Sequence, residues 1–438
     1  MFSPPQLQAC YSTHLARLSA SYARVLSSEG FDAVILHSGA AKSRTRFDDQ
    51  YWPFRVVPHF QHWLPLAEPE CALVIENGKK PKLLWLREQN FWERPGPAPG
   101  NHWQSGFEIV QLDGREKMIE HLPKGKVAFI GEEEAHAKSW GLVERFNPSH
   151  LVAALDQLRV TKSEYEILCI EEANRIASIG HAKIAETFGA SDLSELDLHL
   201  LYLKVTEQDD PETPYKNIVA VGHNAATLHH ISYERKPRGA QSLLLDAGAV
   251  CFGYTSDITR TYVKGKGEAA SVFGGLIAAV ENMQQRLCSE IKLGMPYEQL
   301  HERAHLRVGE ILKDIGVSRV SAEENVAAGL TRSFFPHGLG HSLGLQCHDV
   351  GCALIRPQKD NPFLRNTTLI APEQVFTVEP GVYFIEMLLE PLRASPAAAS
   401  IDWALVDQLT PLGGVRIEDD IQITKDAPRN LTRAFLPH

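Results

Sequence analysis

Carboxylate and imidazole side chains recur in four short, glycine- and β-rich segments of this sequence. The segment SLLLDAGAVCFGYTSDITRTYV carries two aspartates, FFPHGLGHSLGLQCHDVG carries three histidines, and the runs QVFTVE and GGVRIE each end in a glutamate. Four carboxylates and one imidazole from these segments form an oxygen-rich set with enough ligands for two hard or borderline divalent cations such as Mn²⁺. The candidate ligands are Asp246, Asp257, His341, Glu379 and Glu418.

The segment with the two aspartates is predicted to form a β-hairpin, because two apolar runs flank a glycine-containing turn. With Cys251 and Phe252 at the tip, Asp246 faces Asp257 at about 5 Å on the same face. Two carboxylates so placed repel each other and lose hydration, a cost that a bound cation would offset. The alternative for this segment alone is a pair of turn-capping or edge-exposed aspartates, and each glutamate taken singly fits a solvated strand end.

A competing metal pattern occurs at residues 301–305, which match the HExxH motif of zinc proteases. Glu323 or Glu324 could then supply a third ligand beside His301 and His305. Against this, the predicted helix already has an apolar stripe for the core, and Arg303 inside the motif is awkward beside an active-site cleft. Histidines partly buried on the flank of the helix are the favoured alternative. The spacing of GLGHSLG fits neither a dinucleotide fingerprint nor a P-loop, so a phosphate-binding loop is not expected.

Length and composition restrict the class of protein. The 438 residues predict two or three domains, and the net charge of −10 without a run of like charges disfavours a nucleic-acid partner. Seven irregularly spaced cysteines without a Cys-x-x-Cys pair predict reduced thiols, as in the cytoplasm. The N-terminal stretch lacks a signal-peptide pattern and no run of about 18 apolar residues occurs, so neither secretion nor membrane spanning is expected.

Hydrophobic periodicity predicts a mixed α/β (α+β) chain with an N-terminal domain over residues 1–158 and a second domain over residues 159–438. Helices are predicted over residues 6–28, 163–188, 192–206, 269–291 and 297–315. Strands are predicted over residues 33–36, 71–76, 83–86, 127–130, 218–221, 242–250, 254–263, 376–379, 382–385, 415–419 and 421–424.

The ordered motifs DAG, SDITRT, HGLGHSLGLQCHD, VFTVEPG and GGVRIEDD resemble those of the prolidases, the Xaa-Pro dipeptidases of the creatinase and methionine aminopeptidase superfamily. The similarity is strongest to the bacterial PepQ branch, which includes the organophosphorus acid anhydrolases. It extends over essentially the whole chain, since HSGAAKSRTRFDDQYWPF and PYKNIVAVGHNAATLHH also look like that branch. The resemblance implies an N-terminal creatinase-like α/β domain followed by a C-terminal pita-bread metallopeptidase domain.

The resemblance also implies how the ligands divide between two divalent ions, usually Mn²⁺. Asp246 would bind one ion, Asp257 and Glu418 would bridge both, and His341 with Glu379 would complete the second site. Two cations that share a water lower its pKa, so that hydroxide is available near neutral pH to attack the scissile carbonyl.

Catalytic roles for five side chains follow from the same resemblance. Glu379 would pass the proton to the leaving imino nitrogen, while His348 and His229 would hydrogen-bond the substrate carbonyl and the tetrahedral intermediate. His337 would face the substrate, and Arg416 would orient the metal-binding carboxylates. Without the resemblance, Arg416 fits a strand residue paired with a neighbouring acid, and His229 fits a turn residue.

Charged and polar side chains that bind the two ends of the substrate would restrict its length. By the resemblance, Arg365 would be a buried residue that binds the proline carboxylate, and Tyr215 would meet the substrate α-amino group together with Asp49. Asp49 reaches across from a second subunit in relatives, which implies a homodimer. Read without the resemblance, Arg365 is a surface charge and Asp49 a solvated one.

The resulting prediction is a manganese-dependent hydrolase of Xaa-Pro dipeptides. The alternatives are an organophosphate triester hydrolase with the same architecture, expected at most as a side activity, and a non-catalytic pita-bread binding module. The five filled ligand positions argue against the binding module. Two departures from the family pattern are Cys352, where relatives often have Gly, and the long stretch 387–411, whose conformation the sequence does not predict.

Overall fold

The computed structural model describes residues 3–88, 91–92, 100–237 and 239–437. The chain divides into two compact units, Met1–Leu168 and Cys169–His438, and the division falls inside one long helix, Glu164–Ala190. The predicted boundary between residues 158 and 159 precedes that helix and stays a prediction. Across the described residues, no helix is both long and apolar enough to span a bilayer.

The first unit is built on a five-stranded sheet. Its helices are α1 (Pro4–Ser28), α2 (Pro58–Gln61), α3 (Glu134–Ser139), α4 (Ser149–Val160) and the start of α5 (Glu164–Ala190). Its strands are β1 (Ala33–His37), β2 (Ala72–Glu76), β3 (Lys82–Leu86), β4 (Glu108–Leu112) and β5 (Val127–Ile130). The strand order is β4-β3-β2-β1-β5, with β1 antiparallel to β2 and parallel to β5.

Helix α1 shows why the local sequence forms these elements. The side chain of Ser3 accepts a hydrogen bond from the backbone N–H of Gln6, and a proline occupies the first turn, where its missing N–H has no intrahelical partner to lose. Leu7, Tyr11 and Leu18 then bury one face at helical spacing. The helix predicted over residues 6–28 is thus confirmed, with a start two residues earlier.

The second unit contains the segments with the candidate ligands. Its helices after α5 are α6 (Glu195–Thr206), α7 (Glu268–Ser289), α8 (Tyr297–Asp314), α9 (Ala322–Ala327), α10 (Leu330–Phe334), α11 (Glu386–Arg393) and α12 (Trp403–Leu409). Its strands are β6 (Ile218–Val221), β7 (Ser242–Asp246), β8 (Val250–Cys251), β9 (Tyr254–Thr255), β10 (Thr259–Val263), β11 (Val375–Val378), β12 (Gly381–Tyr383), β13 (Gly414–Arg416), β14 (Asp419–Ile423) and β15 (Pro428–Asn430).

These strands form two three-stranded antiparallel sheets, β10-β7-β6 and β11-β14-β15, and the pairs β12-β13 and β8-β9. An isolated bridge between Thr259 and Glu418 brings the segment before β14 against β10. Helices α7 and α8 pack their buried faces, which include Phe273, Val280 and Leu300, in one core with strands β11 to β14. Segments that are distant in sequence, namely β10, α7, α8 and the strands β11 to β14, therefore converge on one region.

The hairpin of the two aspartates has a different register from the predicted one. Residue numbers of facing pairs sum to 505 rather than 503, so Asp246 faces Thr259 and Cys251 faces Tyr254. The tip is Phe252–Gly253, where both residues have positive φ, 50° and 91°. A two-residue turn of this kind requires positive φ at both positions and favours glycine at the second, which moves the tip by one residue. Because the register moves by two, both aspartates keep the same face.

The stretch 387–411 is largely helical. Helix α11 buries Leu389 and Leu392 although it contains Pro391, and α12 is capped by the side chain of Asp402, which accepts from the N–H of Leu405. Helix α11 borders the region where the candidate ligands meet, through Met387 and Leu388.

Candidate metal centre and active site

Asp246 and Asp257 meet through the hydroxyl group of Tyr215. Asp246 is the last residue of β7, and Asp257 lies in the irregular stretch between β9 and β10. The Tyr215 oxygen is 2.7 Å from Oδ1 of Asp246 and 2.5 Å from Oδ1 of Asp257. The two carboxylates are therefore close without being the directly facing pair that the sequence analysis predicted.

The two glutamates are placed by backbone hydrogen bonds from neighbouring segments. The N–H of Glu418 donates to the carbonyl of Thr259, whose hydroxyl group donates to Oε2 of Glu418 at 2.6 Å. The N–H of Glu379, the first residue after β11, donates to the carbonyl of Leu339. Both carboxylates thus project from the ends of paired strands into the same space.

His341 presents one ring nitrogen to this cluster. Its Nδ1 lies 3.1 Å from the carbonyl of Ser342, which can only accept, so Nδ1 carries a proton. Its Nε2 lies 3.4 Å from Oδ2 of Asp257 and 3.6 Å from Oε1 of Glu379. A backbone carbonyl that fixes one ring nitrogen and leaves the other for a cation is the usual arrangement of a metal-binding histidine.

The charges of the cluster fit a bound cation. Burial, followed by the charge of Asp257, raises the pKa of Asp246 to about 6. Burial also raises the pKa of Glu379 to about 7 and that of Glu418 well above its usual range. For His341, burial disfavours the charged ring, but the hydrogen bond to Asp257 and the charge of Glu379 outweigh it and raise the pKa to about 9. Crowded, buried carboxylates of this kind hold protons, and bound divalent cations would replace those protons.

The donor atoms are also close enough to share an ion. One ligand atom each from Asp257, His341 and Glu418 lie within 4.8 Å of one another, and all three residues are buried. Glu379 and Tyr215 contact this group, and Asp246 joins it through the hydroxyl group of Tyr215. The mixture of carboxylate and imidazole suits divalent ions of the manganese type.

Three side chains form a hydrogen-bonded series that begins at Asp246. Nη2 of Arg416 donates to Oδ2 of Asp246 at 2.7 Å, and its Nη1 donates to the hydroxyl oxygen of Tyr383 at 2.9 Å. That hydroxyl group in turn lies 2.8 Å from Nε2 of His337. Nδ1 of His337 lies 2.8 Å from the carbonyl of Gly338, so Nδ1 carries the proton and Tyr383 donates to Nε2.

Tyr383 was absent from the sequence analysis, as was Thr259. The only available signal was a tyrosine four residues after Glu379 in VEPGVYF and a hydroxyl residue in SDITRT. Neither residue type marks a function by itself, since buried tyrosine and strand threonine are common. The contact between Sγ of Cys347 and Oδ2 of Asp257, at 2.9 Å, was also not predicted.

The cluster forms the floor of a cavity of about 600 Å³. His348 lines it, with its ring edge-on to His341 at a centroid distance of 4.3 Å, and exposed His229 lines it from the segment after β6. Its apolar side chains are Leu228, Phe363, Ile385, Met387 and Leu388. The segment 387–411, of unknown conformation in the sequence analysis, thus supplies part of the wall through α11.

Two predicted substrate-binding residues are placed differently from expectation. Arg365 lines the cavity but is exposed, so the expected burial is wrong. Tyr215 bonds to the carboxylates instead of pointing free toward a substrate. Asp49, in the first unit, is exposed and accepts a hydrogen bond from the side chain of Gln50. Its predicted role depends on a second subunit and stays a prediction.

The structure contradicts the zinc-protease alternative at residues 301–305. Glu302 is exposed on α8, and Glu323 and Glu324 are exposed at the start of α9. Nε2 of His305 already faces Nη1 of Arg332 at 3.1 Å, which puts a cation where a zinc ion would have to lie. The buried flank histidines that the sequence analysis favoured are what the structure shows.

Family comparisons agree with this architecture. Residues 9–157 match the family "Xaa-Pro dipeptidase, N-terminal domain", and residues 168–425 match "Metallopeptidase family M24". The chain therefore belongs to metallopeptidase family M24.

Full-length relatives and solved structures extend the match. Xaa-Pro dipeptidases from Pseudoalteromonas atlantica and Pseudoalteromonas translucida are 38% and 40% identical to this chain, each over 98% of both chains. The zinc-substituted E. coli aminopeptidase P in complex with product has a TM-score of 0.72 at 21% identity, over 99% of this chain and 96% of that chain. The same enzyme with the inhibitor Pro-Leu gives 0.73 at 22%, with the same coverage. The predicted fold class, a creatinase-like α/β domain followed by a pita-bread domain, is confirmed.

Proposed function

We propose that this chain is a metal-dependent dipeptidase that cleaves Xaa-Pro dipeptides and releases the C-terminal proline. The observation that carries the proposal is the cluster of buried carboxylates and His341 on the floor of a cavity that also contains the guanidinium group of Arg365. The full-length similarity to Xaa-Pro dipeptidases supports the same substrate class.

Two divalent ions per chain, of the manganese type, are proposed as the cofactor. Asp246, Asp257, His341, Glu379 and Glu418 would hold them. When bound, such ions lower the pKa of water and polarise a carbonyl, which supplies a nucleophile near neutral pH. The number and identity of the ions belong to the proposal.

The side chains of the cavity would orient the peptide and move protons. Glu379 would bind a metal ion through its carboxylate and also pass the proton to the leaving nitrogen. Burial lowers the pKa of His348 to about 4 and that of His337 to about 3, so both rings are neutral hydrogen-bonding groups at pH 7. His348 and His229 would donate to the carbonyl oxygen, and His337 would position the proline end.

Arg365 would bind the free carboxylate of the dipeptide. A guanidinium group at the edge of the cavity matches a carboxylate in a two-point geometry. Peptides extended beyond proline lack a carboxylate at that position, which would restrict the enzyme to dipeptides. Arg365 is exposed in the structure, so we propose that ligand binding, rather than folding, covers it.

A homodimer in a reducing compartment completes the proposal. All seven cysteines lie among the described residues and are thiols rather than disulfides, which fits a reducing environment such as the cytoplasm. Asp49 of the partner subunit would contact the α-amino group of the substrate. Sedimentation velocity tests the dimer, and Asp49→Asn should raise KM for Ala-Pro without changing the sedimentation coefficient.

The deciding experiment uses metal-stripped, folded protein with Ala-Pro or Leu-Pro, with and without Mn²⁺, and measures free proline. Ala-Pro-Gly is the length control. Mn²⁺-dependent release from the dipeptides alone is the expected result. No release with any divalent metal would contradict the proposal. No feature of the cavity favours the organophosphate alternative over the peptide, so we do not propose it.

A further inference from the structure

The histidines of the HExxH segment have no role in the metal centre, yet they line a second pocket. His301 and His305 are one turn apart on α8, both are 2% exposed, and their rings meet edge to face with centroids 4.7 Å apart. The pocket has a volume of about 320 Å³, and Arg332 of α10 lines it as well. It shares Pro336–Gly338, Phe363 and Leu388 with the catalytic cavity but contains none of the proposed metal ligands.

Arg332 is the unusual residue of this second pocket. Its Nη1 lies 3.1 Å from Nε2 of His305 and 3.3 Å from the side-chain oxygen of Asn361. Among the residues that the structure describes, no carboxylate forms an ion pair with it. The other two arginines nearby differ, since Arg303 and Arg307 of α8 both pair with Glu290. A partly buried guanidinium group without a carboxylate partner is suited to an anion from solution.

The acidic residue that comes nearest in the hydrogen-bond network does not neutralise Arg332. Glu298 accepts from the N–H of Gln358 at 2.7 Å and from the side-chain amide of Asn361 at 2.9 Å. Glu298 therefore orients Asn361 so that its side-chain oxygen faces Arg332. Glu298 interacts with Arg332 only through Asn361. At the exposed rim, Lys359 and Asp360 offset each other, so Arg332 determines the charge of the interior.

Neither histidine adds charge to the pocket, and only His301 has a ring nitrogen without a hydrogen-bond partner among the described residues. Burial lowers the pKa of His301 to about 4 and that of His305 to about 2, so both are neutral at pH 7. His305 accepts from Arg332 through Nε2, and its protonated Nδ1 lies 3.2 Å from the hydroxyl oxygen of Thr331. Nδ1 of His301 is buried without a hydrogen-bond partner among the described residues. A buried polar atom of this kind indicates a ligand or water that completes its bonding.

The rest of the lining is apolar, with Phe335, Pro336, Phe363, Leu364 and Leu388. We propose that this second pocket binds a small organic carboxylate with an apolar body, with Arg332 holding the carboxylate. Free proline fits this chemistry, and its choice as the ligand rests on the proposed dipeptidase function. The pocket adjoins the catalytic cavity along residues 336–338, so a released product could move into it over a short distance.

Equilibrium dialysis of the full-length protein with radiolabelled proline tests the proposal. Wild-type protein should bind two prolines per chain, one dependent on Arg332 and one on Arg365. Arg332→Met should weaken the first by about tenfold or more, the scale of a lost charge-assisted hydrogen bond, and Arg365→Met should weaken only the second. Arg303→Met is the matched control, because Arg303 of α8 pairs with Glu290 and does not line the pocket.

Arg332→Lys keeps the charge and protects the test against a misfolded Met variant. It should bind proline with intermediate affinity and unfold at the wild-type urea concentration. Acetate should displace the Arg332-dependent proline, and pyrrolidine, which lacks the carboxylate, should not. Unchanged binding in both Arg332 variants would overturn the proposal, and displacement by chloride as effective as that by acetate would overturn the carboxylate assignment.

The two proposals fail separately. If wild-type protein releases no proline from Ala-Pro but Arg332→Met still weakens carboxylate binding, the second pocket stands and the dipeptidase function does not. If Ala-Pro is cleaved while proline binding is indifferent to Arg332, the reverse holds.

Discussion

The guanidinium group of Arg416 donates to the carboxylate of Asp246 across 2.7 Å and so joins the end of β13 to the end of β7. Both side chains are almost fully buried, and no other basic residue is described as pairing with Asp246. This buried ion pair therefore helps to fix the orientation of Asp246 in the metal centre.

Removal of that ion pair should be costly. Arg416→Met leaves the carboxylate of Asp246 buried without its cation, which typically lowers the free energy of unfolding by about 3–5 kcal/mol. Loss of a residue that orients a ligand should also weaken Mn²⁺ binding by roughly 10- to 100-fold. Urea unfolding and calorimetric Mn²⁺ titration measure the two effects. Arg393→Met, which breaks an exposed pair with Asp407, should change stability by less than about 1 kcal/mol and leave Mn²⁺ affinity unchanged.

Tyr383→Phe should separate the role of the hydroxyl group in positioning Arg416 and His337 from the role of the ring in packing. The variant keeps the ring but loses the hydroxyl group between Arg416 and His337, so we expect kcat/KM for Ala-Pro to fall by about tenfold and stability by about 1–2 kcal/mol. Tyr233→Phe is the control, because that hydroxyl group donates to the carbonyl of Asn217 outside the cavity. Equal activity loss in both variants would argue against a positioning role for Tyr383.

The carboxylates of the cluster and His341 should contribute less to the stability of the metal-stripped protein as pH rises. In the folded state the pKa of Asp246 is raised to about 6, that of Glu379 to about 7 and that of His341 to about 9. Groups with raised pKa values bind more protons folded than unfolded, so their stabilisation is present at pH 4 and is lost as pH rises through these values.

Urea unfolding of the stripped wild-type and Glu379→Gln proteins at pH 5 and pH 8 tests this expectation. Because the amide of the variant cannot ionise, the wild-type protein should lose unfolding free energy relative to the variant from pH 5 to pH 8, by an amount on the order of a few kcal/mol. Added Mn²⁺ should restore most of the loss at pH 8 and little at pH 5, because the ligands must be deprotonated to bind it. A stability difference between the wild-type and Glu379→Gln proteins that is the same at the two pH values would contradict the proton-holding cluster.

Arg365→Met should act on substrate binding more than on the chemical step. We expect KM for Ala-Pro to rise by roughly 10- to 100-fold, the scale of a charge-assisted carboxylate contact. The amide Ala-Pro-NH₂, which has no carboxylate, should be affected much less. Arg356→Met is the matched control, since Arg356 is exposed nearby and does not line the cavity. A similar loss for dipeptide and amide would remove the carboxylate assignment.

Much of this protein is determined by local sequence. The β-alternation and turn signals around residues 242–263 and 375–423, and the helical periodicity of α1, α7 and α8, predict elements that the structure contains within a few residues. The segments that carry the five candidate ligands are recognisable because each is a short motif of residues that are near each other in the chain. The fold class followed from the same local patterns together with the family motifs.

Tertiary structure decided what depends on residues far apart. The hairpin register was set by the turn at Phe252–Gly253, a matter of backbone geometry rather than of alternation. Contacts such as Arg416 with Asp246, 170 residues away, and Tyr215 with Asp257, 42 residues away, have no periodic signal.

The exposure of Arg365 and the neighbouring pocket of Arg332 likewise depend on which segments pack around them. Hydrophobic pattern reports which face of an element is buried, but not which partner covers it. The sequence by itself thus determined the elements and the set of ligands. Only the packed structure determined which side chains reach each other, because long-range packing, not local periodicity, brings their atoms within hydrogen-bonding distance.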